Sequence, residues 1–190
     1  MSMPADLLRL FSGSAAAFVA LLMLRAALHK AADAGRFEGV LADYGLAPEW
    51  ALKPLRMLLP ALEIAAASAL CLAPVQAVGA ALAAGLLLTY GAAMATALAR
   101  GRSEIDCGCG GPALPLGWSL VARNVMLAAA LVPAGLGLAG WRTLGEAGAG
   151  WALALVGLAC WAAGEQLAAN HHRMRQANGP SAAQMFGGAA

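Results

Sequence analysis

Charge is what this chain has least of. Its Lys, Arg, Asp and Glu together make up only 12% of 190 residues, about half the share expected of a soluble globular domain. With 61% hydrophobic residues, that shortage excludes an ordinary water-soluble fold. A net charge of +2 is too small to call for nucleic acid. Aromatic residues are few as well, at 6%, and alanine dominates. Alanine anchors poorly in lipid but lets helices approach closely, so a tight bundle is expected. Cysteine occurs four times, which is too little for a disulfide framework. No long polar stretch interrupts the chain before about residue 170, which leaves no room for a second domain.

What is present is a series of apolar runs, each near the roughly 20 residues that cross a bilayer as a helix. They predict an all-α integral membrane bundle of about five spans, a four-helix core plus one. The spans fall near 7–30, 54–73, 75–99, 118–140 and 151–169, within a single domain over 1–170. The first run is longer than a signal-peptide core, and Arg25, His29 and Lys30 follow it without a clean cleavage site, so it is read as a retained helix. Residues 171–190 form a polar tail of low complexity, expected to be partly disordered. Between the first two spans, Phe37, Val40, Leu41 and Tyr44 recur at helical spacing while Arg36, Glu38 and Asp43 face elsewhere. That pattern predicts a short amphipathic helix at the membrane interface, with Trp50 in the aromatic belt. Pro60 should kink the second span or sit near its first turns. Ala77, Ala81 and Gly85 form a small-residue stripe suited to a neighbouring helix. Cys71 and Cys160 lie alone in apolar runs and read as small buried hydrophobes.

An ionisable side chain inside a span is expensive and marks a functional position by default. Arg25 and Arg123 lie about 7 Å, and Glu63 about 13 Å, below the ends of their spans at 1.5 Å per residue. The winding of the chain puts all three on the side of the loop 100–117. Two readings follow. One is a structural ion pair between Glu63 and an arginine, with Arg25 the favoured partner because spans one and two are consecutive. The other is a polar cavity in which Arg25 and Arg123 favour thiolate over thiol in the loop, with Glu63 balancing them. His29 stands one turn from Arg25 on the same face and is otherwise a solvated interfacial residue.

The loop carries "IDCGCGG", in which Cys107 and Cys109 are one residue apart. Gly108, Gly110 and Gly111 supply the backbone freedom for a very small disulfide ring. Such a ring is strained and exposed, and strained disulfides are the labile, exchange-active ones. It is too local to staple a fold. The pair is therefore read as catalytic, a thiol–disulfide oxidoreductase centre working through a mixed disulfide. Two alternatives stand beside it: a soft-metal binding or transport site made with His171 and His172, and a non-catalytic docking scaffold. No cofactor is expected. A quinone would serve by analogy with other membrane thiol oxidases, but no motif here binds one.

The strings "RGRSEIDCGCGG" and "WSLVARN" resemble the signature of the MauE family, membrane accessory proteins of methylamine utilisation. Asp106, Cys107, Gly108, Cys109, Gly111, Arg123 and Asn124 match it, while Gly110 stands where an aromatic is usual. "RAALHKAADAGRF" and "LPALEI" resemble the first two spans of that family and of the wider DoxX-like group. The resemblance covers about residues 15–130. It implies a role in maturing the small subunit of methylamine dehydrogenase, an exported, disulfide-rich subunit with a tryptophan-derived quinone. It also implies a thioredoxin-fold partner, MauD.

Location in the bacterial inner membrane follows from these readings, but the loop's side is contested. Lys30, Arg36, Lys53, Arg100, Arg102, Arg173 and Arg175 flank the spans on the cysteine side, against Arg9 and Arg142 on the other. The positive-inside rule then puts the loop in the cytoplasm. Disulfide chemistry puts it in the periplasm, and the periplasm is the side favoured here.

Overall fold

The computed structural model describes residues 3–103, 105–108, 116–141 and 143–177. Its helices are α1 (Met3–Ala32), α2 (Ala34–Tyr44), α3 (Glu49–Cys71), α4 (Gln76–Ala99), α5 (Trp118–Ala130), the single turn α6 (Val132–Gly135) and α7 (Leu144–Ala177). Five stretches are long and apolar enough to cross a membrane: α1, α3, α4, α5 with α6, and α7. The chain is thus an all-helical, multi-pass membrane bundle. α1 packs on α3, α3 on α4 and α4 on α5, and a smaller α1–α5 contact closes the ring. α7 stands outside this four-helix core, against α1.

The core is built largely from alanine. Ala16, Ala20, Ala66, Ala83 and Ala134 are buried together with Val19, Met23, Leu87 and Leu131. Small side chains bring backbones close where lipid supplies no hydrophobic drive to associate. The closest approach is in the α3–α4 hairpin, where a Cβ on Gly79 would lie 2.5 Å from the backbone nitrogen of Leu70. α7 meets α1 through a 5.8 Å edge-on contact between Phe18 and Trp161 and at Gly157, where a Cβ would lie 3.3 Å from the Phe18 ring.

Several boundaries differ from those read in the sequence. α3 starts at Glu49, so Pro54 and Pro60 both lie inside it. Pro48 precedes its first turn in extended conformation, which lets the helix begin before the apolar run does. The fourth span is shorter than expected. α5 stops at Ala130 and α6 at Gly135, because Pro133 cannot donate to the helical ladder and Gly137 takes a φ of 72°. α7 is longer, running through the polar segment to Ala177.

The small-residue stripe is also corrected. Ala77, Ala81 and Gly85 are exposed, and α4 instead buries Gly79, Ala80, Ala83, Leu86, Leu87, Gly91, Met94 and Ala97. Two residues rotate a helix by about 200°, so the buried face lies opposite the expected one. Nearly every residue of α4 is apolar, so no periodicity marks which face turns inward. Cys71 and Cys160 are exposed rather than buried, since a membrane helix is apolar on its outer face too.

The connector helix forms as expected. Asp33 caps α2 by accepting from the Arg36 amide at 3.0 Å, and Gly45 ends it in the left-handed region at φ 59°. Phe37, Val40 and Tyr44 are its buried residues. They pack α2 onto α3, α1 and α4 at the cysteine end of the bundle.

The contrast between the two faces of α4 is testable. Gly79→Val should destabilise the bundle by about 1 to 3 kcal/mol through overpacking against backbone. Gly85→Val, with nothing within 4 Å of its added Cβ, should leave thermal unfolding in detergent unchanged.

Candidate functional site

The cysteine loop is docked onto α2. Arg36 Nη2 lies 2.8 Å from Asp106 Oδ2, and the other carboxylate oxygen of Asp106 accepts from the Gly108 amide at 3.4 Å. Tyr44 donates its hydroxyl to the carbonyl of Cys107 at 3.4 Å. Arg102 donates to the carbonyl of Asp43 at 2.9 Å. Gly108 is required twice over: its φ is +68°, and a Cβ there would stand 3.0 Å from Val40 Cγ1. These contacts seat Cys107 in a small core with Val40, Tyr44, Met94, Ala97, Leu116 and Leu120. Its exposure is 9%, so the first cysteine of the motif is buried, not the exposed group expected. Cys109, with Gly110 and Gly111, lies outside the described residues, and so does any pairing between the two cysteines.

Beneath the loop, the ionisable groups do converge. Arg25, Glu63, Arg123 and Asn124 line one cavity of about 50 Å³, together with Lys30, Tyr90, Trp161 and Glu165. The pairing within it differs from the one expected. Glu63 is 0% and Lys30 5% exposed, and Lys30 Nζ donates to Glu63 Oε1. Tyr90 donates to the same oxygen at 2.9 Å. The ammonium also lies 5.4 Å from the centre of the Phe37 ring and 4.9 Å from that of Tyr90, within cation–π range. Among the described residues, Glu63 Oε2 has no hydrogen-bond partner. Arg25 does not reach Glu63. Its Nη2 lies 2.9 Å from Glu165 Oε2, while Arg123 Nη1 lies 3.4 Å from Glu165 Oε1. Trp161 donates to that same oxygen at 3.0 Å and lies under the Arg123 guanidinium, 5.1 Å away. Asn124 donates to the Leu120 carbonyl of its own helix at 2.8 Å and to the Met94 sulfur of α4 at 4.0 Å.

Sequence reasoning therefore missed two charges. Lys30 was counted among the flanking cations, because its burial depends on α2 folding back over it. Glu165 carried a usable signal, a carboxylate inside an apolar run, which marks a functional position as Glu63 did. His29 is exposed and lines a smaller cleft with Asp33, Arg36 and Asp106. The metal alternative gains nothing here. Among the described residues, no group of three metal-ligating side chains comes together. Cys109 and the side chain of His172 lie outside them.

Breaking the Lys30–Glu63 pair should be costly. Glu63→Gln leaves a buried ammonium without its counter-ion, a loss of about 3 to 5 kcal/mol. Adding Lys30→Met should recover most of it, because replacing both partners is often near neutral. Arg25→Gln combined with Glu63→Gln should be additive. Thermal unfolding of the four variants in detergent reads all three outcomes.

Comparison with known proteins identifies the family. Residues 8–140 match the family described as methylamine utilisation protein MauE. A methylamine utilization protein MauE of Paracoccus denitrificans is 39% identical over 64% of this chain and 66% of its own length. Its namesake in Methylorubrum extorquens is 39% identical over 60% and 62%. That of Methylophilus methylotrophus is 40% identical over half of each. The chain thus spans about two thirds or less of the length of these relatives. No solved structure matches it. The matched residues take in α1 to α5, the docked cysteine loop and the Lys30–Glu63 pair, and the chain belongs to the MauE family of methylamine utilisation proteins.

Proposed function

We propose that this protein matures the small subunit of methylamine dehydrogenase by thiol–disulfide exchange through Cys107 and Cys109, with a MauD-like thioredoxin-fold protein as its exchange partner. It acts from the bacterial inner membrane with the cysteine loop on the periplasmic side. The observation that carries this reading is the docking of the loop. Asp106, Gly108 and Tyr44 hold Cys107 at the bundle end in one defined setting. A loop that merely joined two spans would need no such contacts.

The burial of Cys107 divides the work between the cysteines. Exchange requires a sulfur that a partner can approach, so Cys109 forms the mixed disulfide, and Cys107 is the thiolate released when the partner is oxidised and the resolving thiolate when it is reduced. When the partner is oxidised, its thiolate attacks Cys109 Sγ and the Cys107–Cys109 bond breaks, releasing Cys107 as thiolate. The partner's second thiolate then takes the partner sulfur from the mixed disulfide and frees Cys109. When the partner is reduced, the same steps run backwards. Lys30, which lines a cavity with Cys107, is the cation that favours the Cys107 thiolate. Arg25 and Arg123 act on the other side, holding Glu165.

The roles predict an asymmetry. Cys107→Ser should accumulate a mixed disulfide when its Cys109 thiolate attacks the oxidised, disulfide form of a thioredoxin-fold partner, resolved on non-reducing gels and identified by mass spectrometry. Cys109→Ser should accumulate none, and both variants should lose mature small subunit. Equal trapping in the two variants would remove the assignment, and full maturation in both would remove the exchange reading. For the loop's side, a membrane-impermeant maleimide should label Cys109 in intact spheroplasts of a Cys71→Ala, Cys107→Ser, Cys160→Ala strain. Labelling only after lysis would put the loop in the cytoplasm.

A further inference from the structure

A second cavity, of about 290 Å³, opens beside the cysteine loop between α2, α3 and α4. Its walls are apolar, with Leu41, Leu59, Ala93 and Met94 among them, and Cys107 forms part of its lining. Leu59 is ten residues from the start of α3 and Thr89 ten from the end of α4. The cavity therefore reaches about 15 Å into the bundle at 1.5 Å per residue, half the depth of a hydrocarbon core. Thr89 and Leu46, which also line it, are exposed on the outer surface. Thr89 lies well inside a membrane-spanning helix, so the cavity is open to a ligand from the bilayer.

Two features of the lining select among bilayer molecules. The first is polar: the Lys30 ammonium and Tyr90 both line the cavity. Lys30 gives one donor to Glu63, and an ammonium has three. An acyl chain has no use for a donor, whereas a carbonyl oxygen accepts one. The second is the pair of aromatic rings, Phe37 and Tyr90, which suits a flat ring. With sulfur in the same wall, the combination matches a lipid-soluble molecule bearing a planar, carbonyl-substituted, reducible head.

We infer that this cavity binds a lipid-soluble quinone, which reoxidises the cysteine pair. The inference rests on the exchange reading above and gives it a direction, net oxidation of the partner. Two S–H bonds break, one S–S bond forms between Cys107 and Cys109, and two electrons pass to the quinone. The two protons end on its two oxygens as quinol. Lys30 donates to one carbonyl oxygen and stabilises the charge that builds there during reduction.

The test uses the full chain in phospholipid nanodiscs with decylubiquinone and an azido-quinone photoprobe. The probe should label peptides of α2, α3 or α4 that line the cavity, and decylubiquinone should displace it. Dithiol-reduced protein should yield one quinol per cysteine pair oxidised. Ala93→Phe, which fills the cavity, and Thr89→Leu at its mouth should each weaken quinone binding at least tenfold. Trapping of the oxidised, disulfide form of the partner by Cys107→Ser should survive the addition of Ala93→Phe. Labelling spread over the lipid-facing surface of α7, or unchanged affinity in both variants, would overturn the site. So would a co-purified phospholipid that native mass spectrometry shows quinone cannot displace. Specific binding without quinol formation would overturn the electron transfer. Loss of partner trapping in Cys107→Ser alone, with quinone binding intact, would instead overturn the exchange reading.

Discussion

A buried carboxylate and a buried ammonium organise the cysteine end of this bundle. Glu63 and Lys30 come from α3 and α1, Tyr90 reaches them from α4, and Phe37 of α2 lies against the ammonium. A pair like this adds little net stability, because desolvating the two charges offsets most of their attraction. It does restrict arrangement. A side chain from α1, two from the α3–α4 hairpin and one from α2 meet only when those four helices stand at one relative height. Alanine-rich surfaces pack in many registers, so the buried charges choose among them.

The same logic fixes the fifth helix. α7 has little buried surface along most of its length, and apolar contact with a neighbour gains little over contact with lipid. Glu165 joins it to Arg25 of α1 and Arg123 of α5. Two carboxylates and three cations thus divide into two groups around one cavity, one group tying α1 to α3 and the other tying α7 to the core. The separation matters for the chemistry proposed at the loop. The arginines serve the α7 side, and the lysine lines the cavity that Cys107 also lines.

The loop's cations are also less available than a count suggests. Lys30 is buried, Arg36 is paired with Asp106, and Arg102 caps the carbonyl of Asp43. These side chains hold α2 and the cysteine loop together. The positive-inside rule concerns cations that flank the spans, and a lysine locked inside the bundle is not one of them. Without Lys30, six flanking cations stand on the cysteine side against two on the other.

The sequence by itself determined the helical membrane class, the five spans, the amphipathic α2 and the family. Each depends on composition, local periodicity or a contiguous motif, which a linear chain displays in full. It also showed that Arg25, Glu63 and Arg123 would share one end of the bundle, because winding alternates the ends of successive spans. Which charge pairs with which was decided only by tertiary structure. The helices rotate about their axes to pack, and α4, apolar on every face, carried no mark of which stripe would turn inward. Lys30 looked like an interfacial cation until α2 folded over it. Cys107 looked exposed until Gly108, Asp106 and Tyr44 drew the loop down onto that helix. Burial is a property of what covers a residue, and the elements that cover these two lie elsewhere in the chain.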